Sequence, residues 1–272
     1  MNHWFNGTAQ SAMRDVAGWV PPLARLGYAA KGIVYGLVGA ISFRAALASG
    51  SAEGSTGALA SLVDAQGGRI VLMLIAVGLL CHVLWRLVQA VLDPEHPSAD
   101  GKRMAIRVFY ALSAVIYISL AYTAWQLAQG EWTGSGDGTE TWVAKLLEQP
   151  FGAWLVMAAG LGVVAYGIHQ LYKAWRGDVS KRMSGSSSVH VSRGMRFVGR
   201  AGTAARGVVL LPIGWLLFNA GRLYNAAQAA DTGEVLEMLG RGWLLAVVGA
   251  GLLAYGLHQI TKAIYRRIKR PE

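Results

Sequence analysis

The chain has 272 residues, of which 54% are hydrophobic and 15% are charged. A soluble domain usually contains about 25% charged residues, so this composition, with a mean hydropathy of +0.37, indicates a membrane protein. The formal net charge is +10, and Cys81 is the single cysteine, which excludes an internal disulfide and a cysteine-cluster metal site.

Six apolar runs are long enough to cross the hydrocarbon core of a bilayer, which takes about 20 residues. They lie near residues 26–47, 70–92, 106–127, 152–175, 208–228 and 243–265. The fifth run is the weakest because "RLYNAAQAA" is polar, so we expect its span to begin nearer Gly202. Each run should be a helix, because an open strand leaves its backbone groups unpaired in lipid and the runs lack the alternation of barrel strands.

The segments between these runs divide the chain into units. Residues 1–22 form a segment without a signal-peptide core, and Pro21–Pro22 is expected to close it. The serine-rich, basic stretch at 177–196 reads as a flexible cytoplasmic linker. The two-span units are residues 23–96, 102–176 and 197–267.

Lysine and arginine are concentrated on one set of connections. The two chain ends with the stretches 86–107 and 173–206 hold 20 of the 25 Lys and Arg residues. The stretches 44–69, 131–148 and 222–241 hold the other five, with nine of the 15 acidic residues. The positive-inside rule therefore predicts that both chain ends are cytoplasmic. The same asymmetry explains the net charge by topology and anionic lipid, and we expect no nucleic-acid partner, because no segment outside the bilayer is large enough to fold as a reader.

The three units are copies of one hairpin. "RLGYAAKGIVY" from Arg25 matches "RAGTAARGVVL" from Arg200 and, more loosely, "RVFYALSAVIY" from Arg107. The second spans align as "GLLCHVLWRLVQA" from Gly78, "GVVAYGIHQLYKA" from Gly162 and "GLLAYGLHQITKA" from Gly251. Because each copy has two spans, all copies point the same way. We predict an all-α, polytopic bundle of six transmembrane helices, built from three parallel helical hairpins with pseudo-threefold symmetry.

A short amphipathic piece that ends in Gly precedes each second span. These pieces read "ALASLVDAQGG", "TWVAKLLEQPFG" and "EVLEMLGRG". We expect three brief helices on the outer membrane surface, each of which returns the chain to the bilayer.

The stretches "RLGYAAKG", "RAGTAARG", "GVVAYGIHQ" and "GLLAYGLHQ" carry a resemblance to a known family. With them, the region from about Leu23 to Arg267 resembles the domain of unknown function 1206 family, bacterial proteins with three tandem two-helix units. The second copy departs from the pattern where Phe109, Ser113 and Ala114 replace Gly, the cation and Gly. The first copy departs where His82 and Val83 replace Tyr-Gly. The resemblance implies a fold and a location in the bacterial inner membrane, and it implies no activity.

A stripe of polar residues lies at the C-terminal end of each second span. Its positions i, i+3, i+4 and i+7 are Tyr166, His169, Gln170 and Lys173; Tyr255, His258, Gln259 and Lys262; and His82, Trp85, Arg86 and Gln89. This spacing places each set on one helix face, over about 10 Å of the cytoplasmic leaflet. In the first spans, Arg25 and Arg200 match the interface, and Lys31 and Arg206 lie about 9 Å deeper.

Ionisable groups inside a membrane are costly, and they face the bundle interior or water rather than lipid tails. The stripes therefore predict a basic, aromatic-edged pocket open to the cytoplasmic leaflet, which binds an anionic lipid headgroup or a small anion. Its candidate residues are Arg25, Lys31, Arg86, Tyr166, His169, Arg200, Arg206, Tyr255 and His258. The alternative is structural: Lys and Arg extend to the headgroups while His, Gln and Tyr hydrogen-bond between helices.

Three roles remain open at this point. The protein is a lipid-interacting membrane protein without catalysis, a small channel or transporter along the pseudo-threefold axis, or an accessory subunit of a larger membrane complex. Transport predicts polar residues through both leaflets, whereas the sequence places them in the inner leaflet. The expected partners are anionic membrane lipids, together with a second copy of the chain or a membrane-complex partner.

Catalytic and cofactor signatures are absent from the sequence. The spans contain no Asp or Glu, which counts against a proton-coupled carrier and an intramembrane protease, so we expect no enzyme activity. His169 and His258 raise the question of bis-His haem ligation. No c-type haem signature accompanies them, and Trp85 takes their place in the first copy, so we expect neither a cofactor nor a metal.

Overall fold

The computed structural model describes residues 3–48, 51–91, 101–131, 139–178, 193–240 and 242–265, and these ranges are helical without strands. The helices, in chain order, are α1 (His3–Leu47), α2 (Ser55–Ala60), α3 (Gly68–Val91), α4 (Gly101–Gln129), α5 (Thr139–Leu147), α6 (Gly152–Arg176), α7 (Arg193–Arg222), α8 (Thr232–Met238) and α9 (Trp243–Tyr265). Six of them, two in each copy, are long and apolar enough to cross a membrane. The predicted all-α fold with six spans is confirmed. Helices α5 and α8 overlap the predicted short helices, whereas α2 covers only residues 58–60 of the first predicted piece, and residues 61–67 form turns.

Three boundaries differ from the sequence prediction. Helix α1 continues through Pro21 and Pro22 instead of ending there, although a proline inside a helix removes a backbone hydrogen bond and crowds the carbonyl of residue i−4. Helix α7 begins at Arg193, inside the predicted linker, of which residues 179–192 lie outside the described ranges. It ends at Arg222 rather than near residue 228, because the chain turns where the Asn225 side chain accepts a hydrogen bond from the Ala227 amide.

The six long helices form an open ring. We call the end where α1, α4 and α7 begin the basic end, and the opposite end, which carries the short helices, the loop end. Side by side, the ring order is α4, α3, α1, α9, α7 and α6, with neighbours antiparallel. The remaining neighbours, α6 and α4, do not pack along their lengths in the described residues. The ring is therefore closed at five interfaces and open at the sixth.

Small residues set the interfaces between copies. A Cβ atom on Gly39 of α1 would lie 2.7 Å from the carbonyl oxygen of Gly249 of α9. At the equivalent place between α7 and α6, a Cβ on Gly214 would lie 2.8 Å from the carbonyl oxygen of Gly160. The α3–α4 interface has Ala121 at the position of these first-helix glycines, and it is buried. Equivalent residues thus pack equivalently, as expected for copies related by rotation.

The interface inside a copy depends on a second glycine position. A Cβ on Gly27 would lie 2.6 Å from the Cα of His82, and a Cβ on Gly202 would lie 2.5 Å from the Cα of Tyr255. In the second copy Phe109 takes this position, and its ring contacts Tyr166 with centroids 4.4 Å apart. The bulk of Phe109 excludes the close backbone approach that joins the helices of the other two copies.

The surface of the ring fits a bilayer. Exposed aromatic residues stand at both ends of α6 and α9, at Trp154 and Trp175 and at Trp243 and Tyr265. At about 1.5 Å per residue, each pair spans roughly 31–33 Å, which matches a hydrocarbon core of about 30 Å. Between the aromatic residues of α6 the exposed side chains are apolar from Leu155 to Ile168, and the polar His169 is exposed nearer the basic end. This is the aromatic belt pattern of a membrane-embedded helix.

We predict that Gly39→Ala destabilises the bundle, whereas Gly36→Ala one turn away does not. The new methyl at 39 would meet the backbone of Gly249 and Leu253, but a methyl at 36 meets no atom within 4 Å. Overpacking typically costs about 1–3 kcal/mol, while Ala in place of Gly favours a helix by about 0.5–1 kcal/mol. Thermal unfolding in mild detergent measures the difference, and equal melting temperatures for the two variants would contradict this interface.

Candidate functional site

Two cations from different copies lie at one level inside the ring. Lys31 of α1 is 1% exposed, and Arg206 of α7 is half-buried. Both lie near the ring of Tyr35, whose centroid is 5.8 Å from the Lys31 Nζ and 5.3 Å from the Arg206 Cζ. The first helices of two copies therefore present their equivalent cations to a shared aromatic face.

Arg206 is surrounded by three tyrosines. Its Cζ lies 5.0 Å from the ring centroid of Tyr255 and 5.5 Å from that of Tyr166, in addition to Tyr35. Its Nη1 donates a hydrogen bond of 2.5 Å to the Tyr255 hydroxyl and a longer one of 3.5 Å to the Tyr166 hydroxyl. The Tyr255 hydroxyl also accepts a hydrogen bond from the Gln259 side chain. Rings and hydroxyls thus hold the guanidinium in a defined position.

Lys31 packs against the second copy. Its Nζ lies 4.7 Å from the ring centroid of Tyr117 on α4. The Tyr117 ring in turn contacts His82 of α3 edge-on, with centroids 4.7 Å apart. Tyr117 corresponds to Tyr35 in the aligned copies, so the same aromatic position supports both cations. We call Lys31, Arg206 and the tyrosines at 35, 117, 166 and 255 the cation site.

No carboxylate from the membrane spans balances the positive charge of the cation site. The six spans contain no Asp or Glu. Three other basic side chains, those of Arg206, Arg86 and Lys262, lie near Lys31. Among the described residues, the buried Nε of Arg206 finds no hydrogen-bond acceptor. Positive charge is therefore held in the interior with aromatic faces and phenols around it rather than an anionic side chain.

Arg200, predicted as part of the pocket, and its equivalent Arg107 hydrogen-bond to the ends of helices instead. Arg200 donates hydrogen bonds of 2.8 Å and 3.0 Å to the carbonyl oxygens of Ala174 and Trp175 at the end of α6. Arg107 makes the equivalent pair of bonds at the end of α3. Each arginine thus pairs with the carbonyls at the C-terminus of the preceding copy's second helix, where a positive charge is favourable.

The remaining candidates are divided between surface and interior. Arg25 and His169 are exposed, whereas His258 is 2% exposed. Arg86 lies at the basic end, where its Cζ is 5.1 Å from the ring of Tyr110. Among the described residues no group of three or more His, Cys, Asp or Glu comes together in a way that could hold a metal ion.

The structure brings together four of the predicted site residues, Lys31, Arg206, Tyr166 and Tyr255, and adds two tyrosines. Tyr35 and Tyr117 were missed because only the cations of the first spans were taken as candidates, while aromatic residues were taken from the second spans. A signal was available: both residues occupy the last position of the aligned stretches "RLGYAAKGIVY" and "RVFYALSAVIY". In the first copy this is the i+4 neighbour of the cation, which shares its helix face.

We predict that Tyr255→Phe lowers the stability of the bundle by about 1–3 kcal/mol, the usual cost of leaving a buried donor unpaired. The change removes a hydroxyl that accepts hydrogen bonds from both Arg206 and Gln259, and it keeps the aromatic ring. Tyr122→Phe, at a surface residue that is 59% exposed, is the matched control. Thermal unfolding in detergent compares the two variants. A melting temperature of Tyr255→Phe equal to that of the wild type would show that the phenol does not hold the arginine.

Comparison with known proteins agrees with this architecture. The family model described as Domain of Unknown Function (DUF1206) matches the chain three times, at residues 26–93, 108–177 and 201–266. A protein of Bacillus subtilis (strain 168), "Uncharacterized protein YxxB", is 31% identical over 263 residues, which cover 94% of each chain. Among solved structures, none matches this chain. The chain is a membrane protein built from three copies of one helical hairpin, and it belongs to the DUF1206 family.

Proposed function

We propose that this protein is a non-catalytic, integral membrane protein that binds an anionic group at the cation site. The group is a phosphate or carboxylate, carried by a lipid headgroup or by a small molecule. One observation carries the proposal: Lys31 and Arg206 place two positive charges inside a membrane-spanning ring whose spans contain no carboxylate.

Energetics favour an anion at this place. A buried charge without a partner costs several kcal/mol. Cation–π contacts offset part of this cost, at about 0.5–2 kcal/mol each, and the phenol of Tyr255 adds one hydrogen bond. A hydrogen bond to a charged group contributes about 1.5–3 kcal/mol, and the Nε of Arg206 still has a donor to offer. Arg206 is partly exposed as a residue whereas its Nε is buried, so a ligand that accepts a hydrogen bond from Nε has to displace neighbouring side chains.

The proposed setting is the bacterial inner membrane, with the basic end in the cytoplasm. The charge asymmetry of the connections supports this orientation. Anionic lipids give the cytoplasmic leaflet a negative surface potential, which attracts basic segments. In this orientation the cation site lies within the leaflet that supplies anionic headgroups.

A transport path is less well supported than a binding site. Toward the loop end, the buried interior is lined by apolar side chains such as Val38, Leu72 and Leu245. Buried Ser42 in that half donates its hydroxyl proton to the Val38 carbonyl of its own helix. In the described part of the chain, the buried polar side chains are therefore concentrated in the half that holds the cation site, and the buried side-chain oxygen of Asn219 near the loop end is an exception.

We predict that replacing Lys31 with Met together with Arg206→Gln lowers anion binding about tenfold or more, a loss of at least about 1.4 kcal/mol. Wild-type protein in mild detergent should bind phosphatidylglycerol, measured by native mass spectrometry, or inorganic phosphate, measured by titration calorimetry. Arg25→Gln is the matched control, because it removes an exposed cation from the same end.

Two results would contradict the anion-binding proposal. One is equal binding by the wild type and the double variant. The other is a wild-type protein that binds neither probe, which would leave the cation site with a purely structural role. Because the double variant could be unstable, each single variant is measured as well, and size-exclusion chromatography confirms that the protein remains folded.

We predict that the loop end faces the cell exterior. In a Cys81→Ala background, which removes the buried native thiol, a cysteine is introduced by Ser61→Cys at the loop end or by Arg193→Cys at the basic end. Both positions are exposed. A membrane-impermeant maleimide should label the first in intact cells and the second only after lysis. The reverse pattern would invert the proposed orientation.

A further inference from the structure

The ring is open between α4 and α6, where the first helix of the second copy carries larger side chains than its counterparts in the other two copies. In the first copy, Gly78 of the second helix packs on Ala30 of the first helix, and in the third copy Gly251 packs on Ala205. The equivalent second-helix residue of the second copy is Gly162, and a Cβ there would meet no atom within 4 Å. We call the space beside Gly162 the α4–α6 gap.

Large side chains on α4 account for the gap. Leu112 takes the position of Ala30 and Ala205, and it is 48% exposed. One turn toward the basic end, Phe109 takes the position of the glycines at 27 and 202. Two bulky residues therefore stand where two small residues join the helices of the other copies, and the space beside Gly162 is left open toward the surrounding lipid.

The gap borders the cation site directly. Phe109 of α4 contacts Tyr166 of α6 at the basic-end side of the gap. The ring of Tyr166 lies 5.5 Å from the Arg206 Cζ, and its hydroxyl accepts the longer of the two Arg206 hydrogen bonds. A single aromatic residue thus separates the open side of the ring from the buried guanidinium.

We propose that the α4–α6 gap admits an anionic phospholipid sideways from the bilayer. Its headgroup phosphate binds at the cation site, and one acyl chain lies in the gap beside Leu112 and Gly162. This inference rests on the proposed function and names its ligand. The phosphate complements the charges of Lys31 and Arg206, and the acyl chain complements the apolar edge of the gap.

The physical argument for a lipid is one of desolvation. An acyl chain that moves from the bilayer into the gap exchanges one apolar environment for another, so the transfer costs little. A soluble anion that used the same opening would cross hydrocarbon without its hydration shell, which is unfavourable for a charge. The positive charge of the cation site and the apolar character of the opening therefore both favour an anionic phospholipid.

The test fills the gap with Gly162→Trp. Because a Cβ at this position meets no atom within 4 Å, the new side chain can leave the helix backbone without a clash. Leu161→Trp is the matched control: it introduces the same side chain on the same helix, at a residue that is 55% exposed. The corresponding residue of the first copy, Val77, is also exposed, so position 161 belongs to the lipid-facing surface rather than to the gap.

Each variant is incubated with mixed micelles of phosphatidylglycerol and phosphatidylcholine, and the bound lipid is counted by native mass spectrometry. Binding of inorganic phosphate is measured in parallel by titration calorimetry. We expect Gly162→Trp to lower phosphatidylglycerol binding about tenfold, equivalent to about 1.4 kcal/mol, and Leu161→Trp to bind as the wild type does. Equal melting temperatures of the two tryptophan variants exclude a folding defect as the cause.

The outcomes separate this inference from the proposed function. If Gly162→Trp retains full lipid binding while the Lys31 and Arg206 variants lose it, the anion site stands and the lateral entry is overturned. If the wild type binds inorganic phosphate through Lys31 and Arg206 but no phospholipid, the ligand is a soluble anion and the inference is likewise overturned. If the wild type binds neither, both proposals fail together.

Discussion

A positive charge cannot face the hydrocarbon of a membrane at acceptable cost, and this constraint organises the interior of the protein. Lys31 and Arg206 lie well inside the spans, so they must point into the ring. Once they do, the neighbouring helices have to supply groups that tolerate a cation. Tyrosine does so with both parts of its side chain, the face of the ring and the hydroxyl. The tyrosines of the cation site come from four helices, α1, α4, α6 and α9, so the two charges hold together parts of all three copies.

The three copies share the packing contacts between their helices and differ at the level of the buried cations. The shared contacts are made by small residues that let helices touch backbone to backbone, as at Gly39 and Gly214, and by arginines that pair with the ends of the preceding helices, as Arg107 and Arg200 do. At the level of the cations, the copies instead carry Lys31, Ser113 and Arg206. The second copy therefore lacks the charge. It also carries the bulky Phe109, so the asymmetry of charge and the opening of the ring fall in the same copy.

The helix interfaces that stabilise the bundle are therefore distinct from the side of the ring through which a ligand would enter. Five helix interfaces close through small residues and give the bundle its packing, since close helix contact in lipid depends on such residues. The sixth, between α4 and α6, contributes little to that packing, so it is the side of the ring that remains open to the bilayer. An opening beside an interior cation is also what a binding site for a membrane molecule requires. The proposed lipid site follows from this arrangement of an uncompensated charge behind an apolar opening.

The six spans and the positions of the cations within them were predictable from the sequence, because composition and helical periodicity are local properties of each segment. The three copies and the family were predictable from repeated stretches such as "GVVAYGIHQ" and "GLLAYGLHQ", which resemble the family pattern. Contacts between segments could not be predicted from the sequence. It placed Arg200 in the pocket, whereas the structure pairs Arg200 with the end of α6. It recorded Phe109 as a departure from the repeat, but only the packed helices show that this residue holds α4 and α6 apart. It missed Tyr35 and Tyr117, because what a tyrosine contacts is decided by the helix that folds against it. Tertiary structure alone assigned the cations their partners and left one side of the ring open, since both depend on distances between residues far apart in the chain.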